Sequence, residues 1–88
     1  MSKPKGKKLI GGYRYGDAVQ SLDYFNGRRT PPPMLSDKGP ATMGIPKGAI
    51  GLIHGQAQAA PEYLDVEFEV WPNTYARVEV RLEQVAKA

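Results

Sequence analysis

The chain has no cysteine, a single histidine and a single tryptophan among 88 residues, and no long apolar run. Without cysteine there is no disulfide framework, and the chain is expected in the reducing cytoplasm. With only His54, no histidine-pair metal site is expected and neither is a serine or cysteine triad. His54 itself reads as a surface or turn residue at a strand end. No stretch approaches the roughly 20 apolar residues of a membrane helix. The opening MSKPKGKKLIGG has the charge of a signal peptide but not its apolar centre. A chain this short buries only about 60–65% of the surface its unfolded form exposes, so it holds one small core. Two-domain enzymes and doubly wound nucleotide-binding folds are excluded on size, and no enclosed cofactor pocket is expected.

The formal charge of +3 is concentrated at one end. Without Lys3, Lys5, Lys7 and Lys8, eight basic residues stand against nine acidic ones. Glycine and proline between these lysines predict a flexible, disordered tail over residues 1–12, ahead of one domain over 13–88. Residues 11–60 carry a balance of +2 and residues 61–88 one of −3. A dedicated nucleic-acid binder shows a basic face on its folded body, and only the tail and the middle segment offer one here.

Alternation is clearest from Tyr63 to Trp71, where Leu64, Val66, Phe68 and Val70 interleave with Asp65, Glu67 and Glu69. It resumes after Pro72-Asn73 with Ala76, Val78, Val80 and Leu82. Period-two runs around a turn predict an antiparallel hairpin with one buried face. Pairing about Asn73 sets Val70 against Ala76, Phe68 against Val78 and Val66 against Val80. It places Trp71 beside Tyr75, Glu69 beside Arg77 and Asp65 beside Arg81, so the acidic row reads as a solvated strand face rather than a metal site. A three-residue turn would require a left-handed Thr74, which argues for a longer loop.

Tyr15 to Leu22 reads as a turn leading into a strand, and Ala49 to His54 as a strand between turns. Gly48 and Gly51 permit a positive dihedral and a close backbone approach or bulge. The segment from Asp23 to Gly44, with Pro31, Pro32, Pro33 and Pro40, reads as one long loop. Leu82 to Val85 suits a single helical turn.

Together these segments resemble the SH3-like small barrel, an all-β fold of five strands, here with an enlarged first loop. Gly16, Asp17 and Val19 open the first strand, and Pro46-Lys47-Gly48-Ala49-Ile50-Gly51 looks like the glycine turn of KOW-type modules. Leu64 to Phe68 looks like the strand that follows. Relatives of this shape include small accessory subunits such as the ferredoxin–thioredoxin reductase variable chain and NifZ-type proteins. The resemblance implies a non-catalytic module docking on a larger protein assembly; that no cofactor, metal or membrane is expected follows from the size, the single histidine and the missing apolar run. The contact is expected at the loop Arg28-Arg29-Thr30-Pro31-Pro32-Pro33 and its neighbours Tyr15, Tyr24 and Phe25, with Trp71 and Tyr75 as a second patch. The KOW likeness implies an alternative, nucleic-acid binding through Lys3, Lys5, Lys7, Lys8 and Lys47 with Arg28 and Arg29. A third likeness, of Gly16 to Val19 and Gly27 to Ser36 to MazF-type toxin ribonucleases, implies cleavage of RNA assisted by Arg28 or Arg29.

Overall fold

The computed structural model describes residues 8–30 and 41–88. The expected tail at Lys3, Lys5 and Lys7 and the triple proline lie outside them. Among the described residues seven strands form one open antiparallel sheet: β1 (Ala18–Ser21), β2 (Phe25–Thr30), β3 (Thr42–Ile45), β4 (Ile50–Gln56), β5 (Tyr63–Trp71), β6 (Thr74–Arg81) and β7 (Val85–Lys87). Their spatial order is β3-β2-β6-β5-β4-β1-β7, so β3 and β7 are the two edges. The all-β class agrees with the sequence, whereas the closed five-stranded barrel gives way to this seven-stranded sheet.

The two additional pairings come from the segment expected to be a loop. β2 and β3 pair with one another from Phe25–Ile45 to Arg28–Thr42, on either side of the proline-rich stretch. Their inward positions include Phe25, Gly27 and Ile45. A glycine inside a strand gives no hydrophobic signal, which is why alternation fails to show there. Gly27 is nonetheless demanded by packing, because a Cβ would lie 2.9 Å from the Arg77 carbonyl oxygen and 2.8 Å from Ile45 Cδ1.

The core is one cluster under the sheet, with Val19, Ile45, Ile53, Leu64, Val66, Phe68, Ala76 and Val80 all at or below 1% exposure. Phe25 and Phe68 meet at 6.0 Å between ring centroids. Gly51 permits the close approach expected of it, since an added Cβ would lie 2.8 Å from both the Glu67 carbonyl oxygen and Phe68 Cδ1. Ser21 is the one buried polar side chain among the described residues, and both its roles are satisfied. It donates to the Pro46 carbonyl at 2.7 Å and accepts from the Ala49 amide at 3.1 Å, fastening the turn in which Gly48 takes φ 92° to β1.

The β5–β6 hairpin is paired two residues away from the expected register. Leu64 faces Val80, Val66 faces Val78 and Phe68 faces Ala76. The even parity holds, because an odd slip would expose the core face. The shift has two causes. The loop is shorter than three residues, not longer as expected: Pro72-Asn73 is a two-residue turn in which Asn73 takes φ 63°, so Thr74 is free to pair as a strand residue. A bulge at Val70, between the pairs Glu69–Tyr75 and Trp71–Thr74, absorbs the extra residue. β4 runs on to Gln56, past the expected end at His54, through a second bulge between Ile53 and Gly55.

The chain ends as a 3-10 turn, Leu82–Gln84, followed by β7. Gln84 Oε1 accepts from the Arg81 amide at 2.9 Å and closes that turn. At the other end Lys8 bridges Arg14, and Ile10–Gly12 forms a 3-10 turn with Leu9 and Ile10 against the core. The sequence draws the tail boundary at residue 12; Lys8 to Gly12 lie on the folded body. Among the described residues, no helix is long and apolar enough to cross a membrane.

Candidate docking face

The outward residues of β2, β6, β5 and β4 form rows across the sheet. One row runs Arg28, Arg77, Glu67, Leu52, each the ladder partner of the next. The adjacent row runs Thr30, Tyr75, Glu69. Ile50 and Leu52 project outward from β4 at 48% and 52% exposure, while Gly51 between them and Ile53 after them are buried. Two of the three bulky aliphatic residues of this strand, Ile50 and Leu52, therefore face outward on either side of a buried glycine, while Ile53 faces the core.

A polar network stiffens the face. Arg77 donates from Nε to Asp65 Oδ1 at 3.1 Å and from Nη2 to Asp65 Oδ2 at 3.0 Å, a bidentate pair diagonal to the ladder. The expected pairs Asp65–Arg81 and Glu69–Arg77 are replaced by this one, as the two-residue register shift requires. The hydrogen bond to Asp65 raises the Arg77 pKa above its already high ordinary value, against the opposing effect of burial. Glu67, the direct partner of Arg77, binds elsewhere. Its Oε2 accepts from Thr30 Oγ1 at 2.6 Å, and His54 Nε2 lies 3.1 Å from Oε1, placed to donate an N–H. Tyr15 meets the His54 ring edge-on at 6.4 Å. One carboxylate thus ties β2, β4 and β5 together. Arg81 instead takes Tyr63: its Nε donates to the Tyr63 hydroxyl at 3.0 Å, which raises its pKa.

Two open hollows flank Arg28. One of about 410 Å³ is lined by Arg28, Asp65, Arg77, Val78 and Glu79. The other continues along the loop stem past Arg29, Thr30, Ala41 and Thr42. A shallower hollow lies among Ile50, Leu52, Glu67, Glu69 and Tyr75.

The sequence candidates separate on this framework. Arg28 is exposed, and Thr30 at the loop stem is the partner of Tyr75, so the arginine loop and the aromatic hairpin adjoin instead of forming distant patches. Trp71 is 63% exposed at the hairpin end and is paired with Thr74, not Tyr75. Tyr24 is 62% exposed, and its hydroxyl end fills the space beside Gly44 of the edge strand. Phe25, expected at the contact, is instead taken up by the core at 8% exposure. Arg29 is half-buried and paired with Ala76, and Tyr15 is half-buried beside His54. Lys8 and Lys47 are exposed, the first at the bridge to Arg14 and the second in the turn between β3 and β4. Pro31, Pro32, Pro33, Lys3, Lys5 and Lys7 are outside the described residues. Among the described residues no group of three His, Asp or Glu side chains is placed to hold a metal ion.

Sequence reasoning missed Ile50 and Leu52 as surface residues. The signal was there: β4 is apolar at both odd and even positions, and a single thin core cannot cover both faces of such a strand. Compared with known proteins, the chain matches no family model, no curated protein and no solved structure.

Proposed function

We propose that this chain is a small cytoplasmic binding module, without catalytic activity of its own, that docks on a larger protein assembly. Its sheet is read as an elaborated SH3-like barrel in which β3 and β7 extend the usual set of strands. The contact surface is the outer face from Arg28 and Thr30 through Tyr75 to Ile50 and Leu52, with Trp71 at its margin. One observation carries this reading: β2 pairs with β6, so the stem of the arginine- and proline-rich loop adjoins an exposed tyrosine on the same face as two exposed aliphatic side chains. Aromatic and arginine residues beside an apolar patch are the usual composition of a protein-binding hot spot.

The nucleic-acid reading has Arg28, Arg29 and Lys47 in its favour. Against it, Asp65, Glu67, Glu69 and Glu79 stand on the strands between Arg28 and β4, where a phosphate backbone would have to pass. The ribonuclease reading rests on the sequence likeness alone.

Affinity purification from cells tests the proposal, using the tagged chain, a Leu52→Ser/Tyr75→Ala double variant and a truncation lacking residues 1–7. A defined protein partner retained by wild type and truncation and lost by the double variant is the expected result. A partner kept by the double variant and lost on truncation contradicts it.

A further inference from the structure

The two edges of the open sheet are built differently. β7 is three residues long and carries Lys87. Leu22 N donates to Gln84 O at 2.8 Å and Ala88 N to Ala18 O at 3.1 Å, so Val85 and Lys87 turn their backbone groups away from β1. That side is occupied. The Tyr13 hydroxyl donates to the Val85 carbonyl at 3.4 Å, and Lys87 Nζ lies over the Tyr13 ring and donates to the Gly12 carbonyl at 3.3 Å. A short strand, a lysine and a covering side chain are ordinary means of blunting an edge.

β3 has none of these. It holds no charge and no proline, and it pairs with β2 without a bulge. Arg29 N donates to Ala41 O at 2.9 Å, so the rungs shared with β2 fall on Ala41, Met43 and Ile45. Thr42 and Gly44 therefore direct their N–H and C=O groups away from the sheet. Both residues are exposed, and among the described residues no hydrogen bond meets these groups.

From this we infer that β3 is a self-association edge, joining a second copy of this chain antiparallel about a two-fold axis at Met43. The residues of the strand select that register. Thr42 opposite Gly44 of the second copy, and the reverse, form two rungs in which every outward donor and acceptor is used. The neighbouring registers of the same parity set Gly44 on Gly44 or Thr42 on Thr42. They bring Pro46 or Pro40 to the next rung, where a proline has no N–H to give. The Pro46 carbonyl is also already taken, by the Ser21 hydroxyl and the Ala49 amide.

The side chains agree on both faces, as a two-fold contact requires. On the outer face Thr42 of one copy comes beside the Tyr24 hydroxyl that stands over Gly44 of the other. On the inner face Met43, half-buried against the core, meets its own counterpart at the axis, and its flexible thioether chain adapts to the gap. β3 carries no charged side chain, so pairing sets no like charges from this strand against each other. The axis is normal to the sheet, which leaves both outer faces open on the same side. This edge lies apart from the docking face and does not depend on it.

Sedimentation equilibrium of the full chain up to sub-millimolar concentration, with Thr42→Pro and Thr42→Lys, is the test, and circular dichroism melts confirm that the variants fold. Thr42→Pro removes an edge donor from each copy and no bond from the β2–β3 ladder, and proline is tolerated where an edge N–H faces solvent. Wild type should form a concentration-dependent dimer, weakened about tenfold or more in either variant. Since the chain has no cysteine, single cysteines report the register. Met43→Cys places its mate about 4.5 Å away between Cα atoms and should cross-link under mild oxidation with diamide. Thr42→Cys stands about 8 Å from its mate and should not. A wild type that stays monomeric overturns the inference, as does a dimer indifferent to both Thr42 variants or cross-linked faster through Thr42→Cys than through Met43→Cys. A dimer dissolved by Leu52→Ser and kept by Thr42→Pro assigns self-association to the outer face. A monomer that captures an extended peptide from a display library, with capture lost in Thr42→Pro, gives the edge to a foreign strand. Both results overturn the second copy.

Discussion

Thr30, the last described residue before the triple proline, is the ladder partner of Tyr75 on the adjacent strand, and its hydroxyl donates to Glu67 one strand further on. A single residue thereby anchors the loop stem to the exposed hairpin, and the account of function depends on that junction.

Removing the Thr30 hydroxyl should loosen the stem. Thr30→Val keeps the branched shape and deletes the donor, at a cost of about 1.5 kcal/mol, the low end for a bond to a charged group because the carboxylate is part-exposed. Urea unfolding measures the loss. Because His54 binds the other oxygen of Glu67, a double-mutant cycle of Thr30→Val with His54→Ala should show coupling. Strict additivity would mean that Glu67 does not link the two strands.

Gly51 should resist substitution more than its exposed neighbours. In Gly51→Ala the new Cβ meets the Glu67 carbonyl oxygen and Phe68 Cδ1 at 2.8 Å, and overpacking of this kind costs about 1–3 kcal/mol. Ile50→Thr and Leu52→Ser, facing outward beside it, should stay within about 0.5 kcal/mol of wild type. Equal losses at all three positions in thermal melts would reverse the assigned facing of β4.

Asn73 carries the left-handed conformation of the hairpin turn. Asn73→Gly should be neutral or mildly stabilising, and Asn73→Val should cost about 1–2 kcal/mol because a branched side chain resists positive φ. Thr74→Gly should bring no gain, since Thr74 is a paired strand residue here. A clear gain from Thr74→Gly would restore the three-residue turn.

The ion pair of Arg77 with Asp65 is partly exposed on both sides, at 36% and 27%. Asp65→Asn should therefore change stability by no more than about 1 kcal/mol, with the effect shrinking in salt. Arg77 keeps the attraction of Glu67 across the ladder, which limits the loss. Urea unfolding at low and high salt measures it, and a salt-independent loss well above about 1 kcal/mol would contradict the partly exposed pair.

Much of the fold can be read from β5 and β6, where every second residue from Leu64 to Phe68 is apolar and every intervening one charged. Parity follows from that pattern alone. The exact step does not, because it depends on which residue takes the positive φ and where a bulge absorbs the remainder, and Asn73 and Val70 are local choices that alternation does not encode. β2 and β3 were hidden for a different reason: a glycine at a buried position and four prolines close by outweighed the inward Phe25 and Ile45. β7, three residues long, is too short to show a period. In the docking face, Arg28, Tyr75 and Trp71 were legible as residue types that favour contacts. Their adjacency was not, since it comes from pairing of β2 with β6 across a large sequence separation. Phe25 looked like a contact residue for want of that same pairing, which turns it inward against Phe68.

The most direct test is amide chemical-shift mapping of the full chain with its purified partner protein. The account predicts that shifts concentrate at Arg28, Thr30, Ile50, Leu52 and Tyr75. Shifts confined to the lysine-rich amino terminus and to the turn around Lys47, with the face between β2 and β4 unmoved, would contradict it.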